Sequence, residues 1–256
     1  MIVVVEGPSG AGKTTWCCTH GRAHALLEEL PDQATVPEDP EAQAHFWVER
    51  NVDRWKRVLE RERRDGLVVV DVDPFKLHYV WTLWRSGQVP KWEWDLQREA
   101  SRVAFSAGEY ALADLYLVSD VTEETLRARR DADTTRRRRG FERHVLLRDS
   151  LLRWYRAIDA LEPGRVRFGL PESGLTPDLL AIGPRRVRSG AAVFDRLLAL
   201  LSYRPRSTRT IAPGYQGRRN PPRDAPSPVR MIAIVLHASG VMTYIRSPSG
   251  ESASVS

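Results

Sequence analysis

Cysteine is nearly missing from this sequence of 256 residues. Only Cys17 and Cys18 occur, and they are adjacent. Neighbours in a helix cannot bridge each other and no third cysteine is available, so the composition excludes a disulfide framework and a cysteine-rich zinc site. We therefore expect a reducing, cytoplasmic setting.

Long hydrophobic runs are also missing. No stretch approaches the roughly 20 apolar residues that cross a membrane. The longest candidate, Met231 to Ala238, has the length of a strand. The first residues, Met-Ile-Val-Val-Val-Glu-Gly, contain no basic leader, and their apolar run is too short for a signal peptide. We expect no membrane partner.

Lysine is the third scarce residue, although the net charge is +6. Arginine supplies almost all of the positive charge, because the lysines are Lys13, Lys56, Lys76 and Lys91 alone. A basic balance fits nucleic-acid binding, polyphosphate chemistry or a basic tail. The position of the charge has to decide between these classes.

Short apolar runs alternate with helical patterns along the first 200 residues, which predicts a parallel α/β sheet. Strands are expected at 2–5, 34–36, 67–70, 115–118 and 165–168. Helices are expected at 13–30, 41–64, 75–86, 94–110, 142–161 and 191–201, and Gly66 is a helix stop. We assign residues 1–202 to one domain and expect the tail at 203–256, rich in Pro, Arg, Ser and Gly, to be disordered.

The strongest motif lies between the first strand and the first helix, and it fits G-x-x-x-x-G-K-[ST] without departure. Its glycines let backbone amides converge on a phosphate, and the helix start favours an anion. Lys13 places a cation against the terminal phosphates, and Thr14 offers a hydroxyl to Mg²⁺. We therefore expect ATP to contact Gly7, Pro8, Ser9, Gly10, Ala11, Gly12, Lys13, Thr14 and Thr15.

Two carboxylates follow the strand at 67–70, where the ligand-binding edge of a parallel sheet lies. Asp71 is a candidate metal ligand together with Thr14. Asp73 could do the same or accept a proton from a substrate hydroxyl. An ordinary Asp-Pro turn is the alternative.

An arginine-rich segment covers residues 127–143. Arginines stabilise the charge that builds on a transferring phosphoryl group when a lid closes, although most individual arginines in such a run are simply solvated. Arg130 is a catalytic candidate because its helix follows the strand at 115–118. Arg137 represents the run 136–139, which the sequence does not rank.

The loop after the weak second strand contains Glu38, a candidate for binding an acceptor's hydroxyl or acting as a base. A polar loop is the competing interpretation. On the next helix Phe46, Trp47 and Arg50 are candidate lining residues of an acceptor pocket, with core packing as the default for the two aromatics.

The pattern resembles the thymidylate kinase and deoxynucleoside kinase group of P-loop kinases over roughly residues 1–170. The matching pieces are the run Val5 to Thr15, the strand ending at Asp71, and the run Asp114 to Tyr155. The resemblance implies a three-layer P-loop NTPase fold with a five-stranded parallel sheet, an arginine-bearing lid and magnesium-dependent transfer from ATP.

One departure from that group concerns the acceptor. In the group an acidic residue followed by Arg commonly ends the third strand, and a carboxylate follows the second strand, near Glu38 here. This chain instead reads Asp71-Val72-Asp73. The sequence therefore looks more like a divergent kinase-like ATPase, of the kind grouped with AAA-family ATPases, than a housekeeping thymidylate kinase.

The leading functional hypothesis is a kinase that uses ATP and Mg²⁺ to phosphorylate a small-molecule acceptor, whether nucleotide, nucleoside or another hydroxylated metabolite. The alternative is a regulatory or nucleic-acid-associated NTPase, in which the arginines contact a polymer. The arginines cluster where a lid belongs and no aromatic-interleaved motif occurs, which disfavours nucleic acid. A nucleotide-binding protein without turnover and a homodimer are left open.

Overall fold

A computed structural model describes residues 1–133 and 141–202. The strands are β1 (Ile2–Glu6), β2 (Ala25–Leu26), β3 (Val68–Asp71), β4 (Leu115–Val118) and β5 (Val166–Phe168). The helices are α1 (Lys13–Trp16), α2 (Pro40–Asp65), α3 (Leu77–Arg85), α4 (Lys91–Ser106), α5 (Glu123–Ala132), α6 (Phe141–Leu146), α7 (Arg148–Leu161), α8 (Pro177–Leu180) and α9 (Ala191–Ser202).

The five strands form one parallel sheet in the order β2-β3-β1-β4-β5. β1 is central, and Val4 lies opposite Val70 of β3 and Tyr116 of β4. A loop that leaves the carboxyl end of this strand therefore opens at the ligand-binding edge. The predicted α/β fold with a five-stranded parallel sheet is confirmed.

Alternate residues of the strands face two different helical layers, because side chains change face at every strand position. Ile2, Val4, Val70 and Tyr116 pack into the larger core, which includes residues of α2, α3, α4, α7 and α9. Val3, Val5, Val69 and Leu117 pack on the other face with Trp16, Cys17 and Leu179. The sheet is thus covered on both faces, as the continuous apolar strands predict.

The second strand is where the sequence prediction is wrong. Instead of a helix over 13–30, α1 continues as a π-helical segment, Cys17–Gly21, and a 3₁₀ turn, Arg22–His24. β2 then begins at Ala25, nine residues before the predicted strand, and 33–35 is a 3₁₀ turn. Residues 22–30 have good intrinsic helix propensity, but pairing of Ala25 with Val69 overrides it.

Most helix boundaries follow local signals. α2 begins after Asp39, whose side chain accepts a hydrogen bond from the Ala42 amide at 2.8 Å, and ends at Gly66 with φ 72°. The predicted helix over 142–161 is instead divided at Leu147. The division lets Phe141 and Val145 of α6 pack near the phosphate-binding loop, while α7 packs on the sheet.

Within the described ranges no helix is long and apolar enough to cross a membrane. The predictions for the tail at 203–256 and for Arg137 fall outside the described residues.

Candidate active site

The loop from Gly7 to Thr14 joins β1 to α1 at the carboxyl edge of the sheet. Gly7 cannot be replaced without a shift, because a Cβ there would lie 2.8 Å from that of Ser119. Gly12 has φ 88°, the left-handed region that glycine tolerates best. These two positions explain why the loop needs glycine at both ends.

Lys13 folds back over this loop. Its Nζ donates to the carbonyl oxygen of Gly7 at 2.7 Å and to that of Pro8 at 3.1 Å. Burial lowers the pKa of Lys13, and the neighbouring Glu6 opposes the change. The ammonium is thus held among oxygen atoms at the mouth of the loop, and a phosphate oxygen is a stronger acceptor than a carbonyl.

Glu6, the last residue of β1, accepts two backbone hydrogen bonds beside the loop. It is 3% exposed, and its Oε1 and Oε2 accept hydrogen bonds from the amides of Gly7 (2.8 Å) and Asp73 (3.0 Å). Burial raises its pKa, but His78 and Lys13 outweigh that effect and lower it. The carboxylate therefore ties β1 to the segment after β3.

Thr14 and Asp71 form the candidate magnesium site. The Thr14 hydroxyl donates to Asp71 Oδ2 at 2.7 Å. Asp71 is 2% exposed, and among the described residues its Oδ1 has no hydrogen-bond partner. An orphaned carboxylate oxygen beside a hydroxyl fits Mg²⁺, which takes oxygen ligands from one or two side chains and from substrate phosphates.

Burial raises the pKa of Asp71, and the Thr14 hydrogen bond and Lys13 oppose this. A cation would therefore stabilise the ionised form that burial disfavours. Within the described part of the chain, no cluster of three or more His, Cys, Asp or Glu side chains could hold a metal ion.

Asp73, two residues after the end of β3, lies in the protein core. It is fully buried, with Oδ1 accepting from the Phe75 amide at 2.9 Å and Oδ2 bonded to the Tyr155 hydroxyl at 3.0 Å. Burial and the nearby Glu6 raise its pKa to about 7. Like Asp71, it lines neither of the two cavities described next. Both of its carboxylate oxygens already have hydrogen-bond partners, which gives Asp73 the position of a structural anchor.

Two cavities meet at the loop. One, of about 580 Å³, is lined by residues 9–15 of the loop and α1 together with Cys18 and Thr19. The other, of about 720 Å³, lies between the loop, α2, α3, α4 and α6. We call them the nucleotide cleft and the acceptor cavity, after the roles proposed for them below. The residues that line both are Ser9, Lys13, Glu28 and Val72.

Glu28 is the carboxylate at this junction. It lies two residues after the end of β2. Because the second strand was predicted at 34–36, the sequence pointed to Glu38 as the carboxylate after it. Lys76 Nζ lies 2.9 Å from its Oε1, and Arg54 lies 4.0 Å from it. Glu38 is exposed just before α2 and lines neither cavity, whereas Glu28 lines both.

Val72, which also lines both cavities, has a strained backbone. Val72 has φ 70°, which is an outlier for a β-branched residue. Arg54 of α2, which is 6% exposed, donates to the carbonyl oxygens of Asp71 and Val72, each at 3.3 Å. Arg54 thus holds the backbone after β3 from α2, a contact that no sequence spacing predicts.

Two of the three predicted acceptor-site residues on α2 line the acceptor cavity, and the third does not. Arg50 and Trp47 line the acceptor cavity, and Arg50 Nη2 donates to the Glu29 carbonyl oxygen at 2.5 Å. Phe46 contacts Trp47 edge-on, with ring centroids 5.2 Å apart, but is not part of the lining. Phe46 therefore contacts the cavity-lining Trp47 and not the cavity itself.

The helices α5 and α6 lie over the loop. Leu126 and Phe141 pack with Ala11, and a Cβ on Gly10 would lie 3.6 Å from Phe141. Arg129 donates to the Ala11 carbonyl oxygen at 3.0 Å. Arg130 instead binds Glu142 at 2.6 Å and stacks on the Phe141 ring. Of these two arginines Arg129 contacts the loop, while the predicted candidate Arg130 joins α5 to α6.

Comparison with known proteins gives structural neighbours only. No family model matches the chain, and no curated protein matches its sequence. Two structures of deoxyadenosine kinase from M. mycoides, one with bound dATP and one with dCMP and dCDP, are similar to it. Their TM-scores are 0.44 and 0.48 at 12% and 13% identity, and each match covers 66% of this chain and 90% and 89% of the kinase chain, respectively.

A third similar structure is NadR protein in complex with NR. Its TM-score is 0.45 at 19% identity, and the match covers 79% of this chain and 52% of the NadR chain. At these identities the roles of individual residues come from the geometry of this chain itself.

Proposed function

We propose that this protein transfers the γ-phosphoryl group of ATP to a hydroxyl of a small molecule held in the acceptor cavity. The observation that carries the proposal is the junction of the two cavities, where Lys13 and Glu28 line both. Transfer requires the donor and acceptor oxygens to lie on either side of one phosphorus atom. A cation and a carboxylate at such a junction are the groups that the reaction uses.

The residues have separate tasks in this proposal. Lys13 leaves the carbonyl oxygens of Gly7 and Pro8 and binds the β- and γ-phosphate oxygens. Thr14 and Asp71 would hold Mg²⁺, and the ion would supply positive charge against the phosphate oxygens. Arg129 adds positive charge from α5 once a nucleotide competes with the Ala11 carbonyl oxygen.

Glu28 acts as the general base. It accepts the proton of the acceptor hydroxyl as that oxygen forms its bond to the γ-phosphorus and the bond from the γ-phosphorus to the β–γ bridging oxygen breaks. The products are ADP, the phosphorylated acceptor and a proton, which Glu28 then releases. Lys76 and Arg54 place positive charge beside this carboxylate, at 2.9 Å and 4.0 Å from its Oε1.

An assay of ADP formation with ATP, Mg²⁺ and a panel of hydroxylated metabolites tests the proposal. We expect at least one acceptor to increase ADP formation in wild type and none to do so in Lys13→Ala. A polynucleotide arm tests the alternative. Stimulation by polynucleotide alone, weakening steeply with salt, would replace the kinase function by a nucleic-acid-associated NTPase.

A further inference from the structure

The acceptor cavity contains four acidic side chains, and one of them differs from the rest. Three have a cation close by: Lys13 lowers the pKa of Glu6, Lys76 lies 2.9 Å from Glu28, and Arg57 lies 2.8 Å from Glu29. Glu93, in the first turn of α4, pairs with no cation in the described residues.

The contacts of Glu93 leave its carboxylate short of donors. Its one hydrogen bond within the described structure comes from Gln97 Nε2, at a long 3.4 Å. Burial alone raises its pKa, and no neighbouring charge contributes. A half-buried carboxylate with so little compensation is stabilised by any ligand that brings a hydrogen-bond donor or a positive charge.

Gln97 strengthens this interpretation. It is 5% exposed, lines the same cavity and lies one helical turn after Glu93. Because its amide nitrogen is directed to Glu93, its carbonyl oxygen is a second acceptor of hydrogen bonds. An acceptor oxygen pair on one helix face selects a donor group.

We propose that Glu93 and Gln97 select acceptors that carry an amino group, either an ammonium or the amino group of a heterocycle, in addition to the hydroxyl that is phosphorylated. The proposal deepens the proposed function and rests on it, since it assigns a chemical class to the molecule in the acceptor cavity. Glu93 is in this account a specificity residue, and Glu28 remains the base.

Matched pairs of ligands test the selection by binding, without ATP. Each pair differs in an amino group: cytidine against uridine, 2′-deoxyadenosine against 2′-deoxyinosine, and glucosamine against glucose. Titration calorimetry with wild type, Glu93→Gln and the control Glu99→Gln, an exposed residue on the same helix, gives the dissociation constants. The first two pairs represent a heterocyclic amine and the third represents an ammonium.

We expect wild type and Glu99→Gln to bind the amino member of at least one pair about tenfold more tightly, the value of one hydrogen bond to a charged group. Glu93→Gln should lose that preference, and Glu93→Asp, which keeps the charge, should retain part of it. Equal binding within every pair, no binding of any amino member, or a preference that survives Glu93→Gln would overturn the proposal.

The same ligands with ATP and Mg²⁺ separate this inference from the function on which it rests. A preference that depends on Glu93, without phosphoryl transfer, upholds the amine site and removes the kinase function. Phosphoryl transfer to both members of each pair at equal rates upholds the kinase function and removes the amine site.

Discussion

Glu28 and Glu38 are two carboxylates ten positions apart that compete for one role. Only Glu28 lines both cavities, and it does so because β2 ends at Leu26. We expect Glu28→Gln to lower phosphoryl transfer by a factor on the order of 10² to 10⁴, the usual contribution of a general base, with ATP affinity nearly unchanged. Glu38→Gln is the matched control and should behave as wild type in the same steady-state assay; the opposite ranking would contradict the assignment.

Asp71 and Asp73 give a second contrast at the residue scale. Asp71→Asn weakens the proposed ligand of Mg²⁺, so we expect the Mg²⁺ concentration at half-maximal activity to rise by about tenfold or more. Asp73→Asn keeps both hydrogen-bonding positions toward Phe75 and Tyr155 and removes a charge that burial disfavours. It should leave the Mg²⁺ titration unchanged. A loss of activity in Asp73→Asn with normal folding would restore Asp73 as a direct participant.

A site residue can be predicted from sequence when its role depends on its neighbours in the chain, and not when it depends on distant contacts. The loop from Gly7 to Thr14 is readable because its amides, lysine and hydroxyl act at fixed sequence spacing. Glu28 was missed because its place depends on the pairing of two residues with β3, and a two-residue strand has no hydrophobic period. The burial of Asp73 under Tyr155, 82 positions away, lies beyond any local pattern.

Two adjacent arginines of α5 have different partners, because consecutive helix residues point in different directions. Arg129 contacts the Ala11 carbonyl oxygen, and Arg130 binds Glu142. We expect Arg129→Ala to lower the rate of transfer by about tenfold or more, since it removes positive charge next to the proposed phosphate site. Arg130→Ala should mainly weaken the contact of α6 with α5, seen as faster amide hydrogen exchange within α6. A larger loss of transfer in Arg130→Ala would return the catalytic role to the residue that the sequence interpretation chose.

The elements that could be predicted are those whose own residues determine them. The apolar runs at β1, β3 and β4 are buried on both faces and were placed correctly, and α2 has its cap at both ends. The division at Leu147 was missed because both halves have helix-forming sequences. It is set by two different packing partners, the loop for α6 and the sheet for α7.

At the scale of the whole molecule, Arg188 links three distant segments. Its guanidinium binds Glu62 at 2.7 Å and Asp114 at 2.6 Å, just before α9. Arg188→Met would leave two carboxylates at least four-fifths buried without this partner. We expect the free energy of unfolding in urea at pH 7 to fall by about 3 kcal/mol. The exposed Arg186→Met is the control and should change it by less than about 0.5 kcal/mol.

The pH dependence of this difference has a defined sign. Burial raises the pKa of Glu62, but hydrogen bonds from Arg188 and the amine of Met1 outweigh it and hold the pKa below its ordinary 4.5. Such a group contributes stability above that value and loses it as the pH falls through the lowered pKa. The gap between wild type and Arg188→Met should therefore narrow below pH 4.5. A gap that stays constant down to acid unfolding would contradict the ion-pair explanation.

The destination of the γ-phosphoryl group tests the central claim most directly. Wild-type protein would be incubated with Mg²⁺, ATP labelled in that group and the metabolite panel, with Lys13→Ala in parallel, and labelled products would be separated and identified. We expect label in an organic phosphomonoester made by wild type, and no such product with Lys13→Ala. Label released only as inorganic phosphate, at a rate that no acceptor changes, would contradict it.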